Sequence, residues 1–82
     1  MVLQTVIGLV ARQFQMDEEE ITESTAFEEL GAEEMDIADL VMEIEGIYDT
    51  EITVDEANEI FTVSDLVDLA ERAVRGAEKE AQ

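Results

Sequence analysis

Residues 30–46 read LGAEEMDIADLVMEIEG, and their apolar side chains repeat at helical rather than strand spacing. At about 100° per residue, Ile37, Leu40, Val41 and Ile44, continued by Tyr48, share one arc. This is the stripe of a helix packed on a core, predicted from about Glu34 to Tyr48. Met35, Ala38 and Met42 fall on nearly the opposite arc, at i, i+3 and i+7. A helix at the surface of a small domain needs one apolar face, so the second stripe is surplus to folding. Asp36, Asp39 and Glu43 border it on one side, and Glu34 and Glu45 lie towards the other, with Glu33 just before the helix. An apolar strip with two methionines, rimmed by carboxylates, suits a groove lined with Arg and Lys. The competing expectation is that Met35 and Met42 pack beneath a loop or the next helix.

Working outward, Leu3, Val6, Ile7, Val10 and Phe14 predict a first helix over about residues 2–15. It is too interrupted by Gln4, Thr5, Arg12 and Gln13 to be a signal peptide or a membrane span. The polar stretch QMDEEEITESTAFEELGAEE then shows no sustained period, with Ile21, Phe27 and Leu30 as its anchors and Gly31 near its end. Ordered loops this long are often functional. Beyond Tyr48, Asp55 is expected to cap a short helix containing Ala57 and Ile60. Thr62 and Asp65 have capping-box spacing for a last helix whose stripe is Val63, Leu66, Val67, Ala70 and Val74. Apart from a hint of alternation around Thr50–Val54, nothing reads as strand. The expected fold is all-α, a small four-helix bundle of three main helices and one short third helix with a long first loop, over residues 1–76. A polar tail over 77–82 follows.

Composition sets the chemistry. The 82 residues contain no cysteine and no histidine, which removes thiolate and imidazole ligands and the usual general base. The net charge is −19, and between Gln13 and Glu71 there is no basic residue. Such a surface repels nucleic-acid phosphates and anionic membranes and attracts basic protein patches. No nucleophile–base pairing marks an enzyme. Charge density alone would draw loose cations around Glu33, Asp36, Asp49, Glu51 and Asp55, without a specific metal site. A calcium loop counted from Asp49 fails, with Val54 at the turn-glycine position and Ile60 at the bidentate-Glu position.

The stretch LGAEEMDIADLVMEIEGIYDTEI, followed by DEANEIFTV, closely resembles the acyl carrier proteins of fatty acid and polyketide synthesis. The resemblance runs from the first helix through Val63 and more weakly into the last. In that family the second helix begins Gly-x-Asp-Ser-Leu-Asp, and the serine carries a 4′-phosphopantetheine arm whose thiol holds the acyl chain. Gly31, Ala32 and Asp36 match this motif, while Glu33 replaces the aspartate and Met35 the leucine. Glu34 stands at the serine. A hydroxyl attacking the β-phosphate of coenzyme A leaves a stable phosphodiester, whereas a carboxylate would give an acyl phosphate that water cleaves readily. Ser24 and Ser64 lie outside any such motif. A carboxylate in a first turn is favourable by roughly 0.3–1 kcal/mol, so Glu34 is tolerable as a helix residue.

The resemblance therefore implies a carrier-like module without its attachment serine and with no cofactor expected. It would dock through Glu33, Met35, Asp36, Ala38, Asp39, Met42, Glu43 and Glu45 onto basic patches of synthase, transferase or acyltransferase enzymes. Gly46 and Ile47 replace acidic residues usual in the family, which bears on partner choice. Phe27, Leu40, Ile44, Ile52, Ile60 and Leu66 correspond to the family's acyl pocket and are expected to pack as ordinary core. A monomer in the cytoplasm, with neither nucleic acid nor membrane insertion, completes the expectation. The alternatives are a working carrier altered at this position and an acidic mimic of nucleic acid.

Overall fold

The computed structural model describes residues 1–80. Four α-helices follow one another: α1 (Val2–Phe14), α2 (Glu34–Tyr48), α3 (Val54–Ala57) and α4 (Val63–Glu80). The long first loop is not featureless, because it contains 3₁₀ turns at Glu18–Glu20 and Phe27–Leu30. α1 packs on α4 and α2, α2 packs on α4, and α3 lies against α2. The all-α bundle read from periodicity is thus the observed one. At its centre Val6 and Val10 of α1, Leu40 and Ile44 of α2, and Val63 and Leu66 of α4 are fully buried. Ile21 and Phe27 reach this core from the loop, and Leu30 packs against it half-buried. Leu9, Ala11 and Leu69 are buried as well, widening the predicted stripes of α1 and α4.

The helix ends follow from side-chain chemistry. α1 stops at Gln15, which turns left-handed (φ 55°) so that its N–H and that of Met16 reach back to the last carbonyls. α2 stops the same way at Asp49 (φ 50°). The short third helix corrects two expectations: it ends at Ala57, leaving Ile60 beyond it, and it is capped elsewhere. Thr53, not Asp55, is its cap: Thr53 Oγ1 accepts from the Glu56 N–H at 3.1 Å, and Glu56 Oε1 accepts from the Thr53 N–H at 3.0 Å. This reciprocal box satisfies two main-chain donors, whereas Asp55 would satisfy one, so the helix begins two residues earlier. Thr50–Val54 forms no strand; among the described residues the sole β-type pairing is the isolated bridge Ala26–Thr62. α4 continues to Glu80, so Ala77–Glu80 prolong the helix, while Ala81 and Gln82 of the expected tail lie outside the described residues.

The cap of α4 is the one the sequence predicts. Asp65 Oδ2 accepts from the N–H groups of Phe61 (2.8 Å) and Thr62 (3.0 Å), and Thr62 Oγ1 accepts from the Asp65 N–H (3.3 Å). Donation by the Phe61 N–H, then by the Thr62 N–H, holds the Asp65 carboxyl below the usual carboxylate range. A depressed native pKa gives stability that is complete above the unfolded value and lost as pH falls through the native one. Asp65→Asn is therefore expected to cost about 1 kcal/mol near neutrality, roughly 4–8 °C in Tm. The gap to the parent should close below about pH 4. Thermal melts of both proteins between pH 3 and 7 check this, and a gap constant across that range would contradict it.

Candidate functional site

The start of α2 is shaped by Gly31. After the 3₁₀ turn it adopts φ 71°, a conformation costly for any side chain with a Cβ, and its N–H donates to the Glu28 carbonyl at 3.1 Å. The chain then extends through Ala32 and Glu33, and the Glu33 N–H donates to Asp36 Oδ2 at 2.8 Å. Glu34 is thereby set as the first residue of α2, exposed, with Asp36 beside it in the same first turn. The serine hydroxyls lie elsewhere. Ser24 is in the loop, its Oγ 3.1 Å from Thr22 Oγ1, and Ser64 is in the first turn of α4.

Along the outer side of α2, Met35 is 75% exposed and Met42 66%, with Ala38 exposed between them. These values remove the expectation that the methionines pack under a loop or under α3. The surplus stripe faces outward. The acidic positions around it divide into two kinds. Glu33, Glu34 and Asp39 are exposed. Asp36, Glu43 and Glu45 are half-buried and already engaged within the fold. Asp36 caps Glu33 and accepts from Gln13 Nε2 at 3.4 Å. Glu43 pairs with Arg12 at 3.3 Å, the only salt bridge among the described residues. Glu45 Oε2 accepts from the Ile52 N–H at 2.9 Å, tying the α2–α3 connection back to α2. Sequence alone assigns all of these to one rim; the structure gives three of them internal work. Among the described residues no cluster of carboxylates converges as a metal site.

Between α2 and α3 lies an open groove of about 850 Å³ that has Glu34 on its lining. Phe27, Ile52 and Ile60 contribute to its wall, but Leu40, Ile44 and Leu66 do not. The six residues grouped by resemblance as an acyl pocket thus separate. Leu40, Ile44 and Leu66 are fully buried core, whereas Phe27, Ile52 and Ile60 join core to groove. Val54, Asn58 and Phe61 are among the lining residues that no helical periodicity marks.

An exposed apolar strip on the second helix, a glycine-turned start to that helix and a groove beside it characterise this helical domain. The chain belongs to the phosphopantetheine attachment family: the family described as "Phosphopantetheine attachment site" matches residues 4–70. It is 38% identical over 64 residues to an acyl carrier protein of Syntrophobacter fumaroxidans, covering 77% of this chain and 79% of that protein. The crystal structure of an acyl carrier protein from Thermotoga maritima superposes with a TM-score of 0.78 at 27% identity, covering 90% of this chain and 87% of that one. Proteins of this family are carriers rather than catalysts, so the chain is not an enzyme. Among the described residues no helix is long and apolar enough to cross a membrane.

Proposed function

We propose that this acyl-carrier-type domain works by contact rather than by carrying. It presents α2 as a cytoplasmic monomer to basic patches of fatty acid or polyketide-type synthases, transferases or acyltransferases, and holds no phosphopantetheine. The observation that supports this most is the pairing of Glu34 at the first position of α2 with the exposed strip of Met35, Ala38 and Met42 beside it. The residue set does not fit the prosthetic group. The side chain at the helix start is a carboxylate, and an acyl phosphate formed there would not persist in water. The groove that Glu34 borders favours a second reading, a working acyl carrier of lipid or polyketide synthesis altered at this position.

Docking is tested by surface binding to purified acyl-carrier-dependent synthases and transferases. Asp39→Lys and the pair Met35→Ala/Met42→Ala are each expected to weaken the best partner at least about tenfold, about 1.4 kcal/mol. A nucleic-acid mimic would instead lose affinity steeply with salt and ignore the methionines. Binding unaffected by either set of substitutions would remove α2 as the docking helix.

A further inference from the structure

We propose that Met35 and Met42 form a reversible oxidation site, at which a hydroperoxide turns both thioethers into sulfoxides, leaves the fold standing and makes the outer strip of α2 polar. The sulfur of this chain lies in four methionines and no cysteine. Met16 is half-buried and packs against the core, whereas Met1, Met35 and Met42 are 92%, 75% and 66% exposed. Met35 and Met42 are the two that share a helix face. Seven residues apart, they stand within about 20° of one another around α2 and roughly 10 Å apart along it, with exposed Ala38 between them. Folding does not call for sulfur there. Neither side chain belongs to the core or packs against it. Leucine has a similar helix propensity, so methionine adds a deformable and oxidisable atom at these positions.

The chemistry around the pair suits the step. Hydroperoxides are uncharged, so a surface of net charge −19 does not turn them away as it would an anionic oxidant. No thiol of the chain competes for them. The sulfur lone pair attacks the terminal oxygen of the hydroperoxide, the O–O bond breaks, and the hydroperoxide proton moves to the departing oxygen. Sulfur gains one oxygen and loses two electrons; the peroxide leaves as water, or as an alcohol if organic. In reverse, two thiols of a sulfoxide reductase release that oxygen as water and become a disulfide. The consequence depends on position. At Met35 and Met42 the sulfoxides stay hydrated and the core is untouched, whereas at Met16 the same dipole would enter packed apolar surroundings. A partner that would have dried two thioethers must instead dry two sulfoxides. This last step rests on the docking reading above; oxidation and repair do not.

The whole chain is treated with dilute hydrogen peroxide and followed by peptide mass mapping, thermal melts and binding to the best synthase or transferase partner. Met35 and Met42 are expected to gain oxygen at least about tenfold faster than Met16, with Tm held within about 2 °C. Methionine sulfoxide reductases of both stereochemical specificities, with dithiothreitol, should remove both oxygens. Oxidation is expected to weaken the partner at least about tenfold, and repair to restore it. Met35→Leu/Met42→Leu should bind within about twofold of the parent and ignore peroxide, although Met1 is still oxidised. Met16 reacting as fast as the pair, a fall in Tm on oxidation of the pair alone, or oxygens that the reductases leave in place would each overturn the site. Undiminished binding by the oxidised chain, or a leucine variant that peroxide still weakens, would overturn the switch while α2 docking stood. Enzyme binding indifferent to Met35→Ala/Met42→Ala would instead sink the docking reading and the switch together, with the oxidation site still judged by mapping, melts and repair.

Discussion

Incubated with coenzyme A and a phosphopantetheinyl transferase, the chain is expected to keep its bare polypeptide mass, while Glu34→Ser gains one arm. The contrast is all-or-none because it rests on bond type. An alcohol oxygen at position 34 would attack the β-phosphorus of coenzyme A, breaking its phosphoanhydride bond, expelling adenosine 3′,5′-bisphosphate and leaving a phosphodiester; a carboxylate oxygen would make a mixed anhydride as reactive as the bond it replaced. The surroundings suit the repaired residue. Position 34 is exposed at the first turn, Gly31 sets the approach of the chain, and Asp36 fixes the turn through the Glu33 N–H. Glu34→Ser loses one favourable first-turn charge, a loss of at most about 1 kcal/mol, so the variant should fold. Intact-mass spectrometry reads the outcome. An arm on the parent chain would end the non-carrying reading, and an unmodified serine variant would place the block elsewhere in the helix start.

The second large effect is on stability. Leu40→Ala is expected to cost about 2–5 kcal/mol, because Leu40 is fully buried on the α2 face that packs against α1 and α4. A domain of this size holds on the order of 4–12 kcal/mol in total. Here a net charge of −19 adds self-repulsion that ordinary chains lack. The pair Arg12–Glu43, whose Arg12 side chain is 74% exposed, offsets little of it. A fall in Tm of more than about 10 °C is therefore expected, with the alanine variant partly unfolded at low salt and recovering on addition of 0.5 M sodium chloride. Melts at both salt concentrations check this; a drop under about 3 °C would mean that Leu40 does not hold the crossing of the three helices.

Residue order made the bundle legible where period and burial coincide. Ile37, Leu40, Val41 and Ile44 declare α2, and its observed bounds, Glu34–Tyr48, are those the stripe predicts. The exposed second stripe was equally readable, since a helix cannot bury two opposite faces in so small a domain. The cap of α3 was legible but outweighed: Thr53 and Glu56 have the capping-box spacing, yet Asp55 is the stronger capping type in isolation. What the sequence could not disclose depends on contacts between segments. Spacing puts Glu45 on the rim of the strip but cannot show that it is engaged, because only the course of the α2–α3 connection brings the Ile52 N–H to it. Val54 and Phe61 sit at a helix start and in the connection before α4, where no period reports which way a side chain faces.

The first loop is fastened to the beginning of α4. Phe27 N–H donates to the Phe61 carbonyl at 2.9 Å, Val63 N–H to Thr25 at 3.0 Å, and Ser64 N–H to Glu23 at 2.8 Å. This clasp joins chain segments centred on residues 26 and 62, so it closes a circuit through the whole of α2 and α3. Because the circuit it closes contains α2 and α3, it carries a closure entropy that contacts within one helix do not. The side chains of Phe27 and Val63, at two of its three bonds, are buried in the core, so opening it would cost apolar burial as well as main-chain hydrogen bonds. The loop is thus no loose appendage: its far end is sewn to α4, and the groove wall at Phe27 and Phe61 is held by the same stitches as the core.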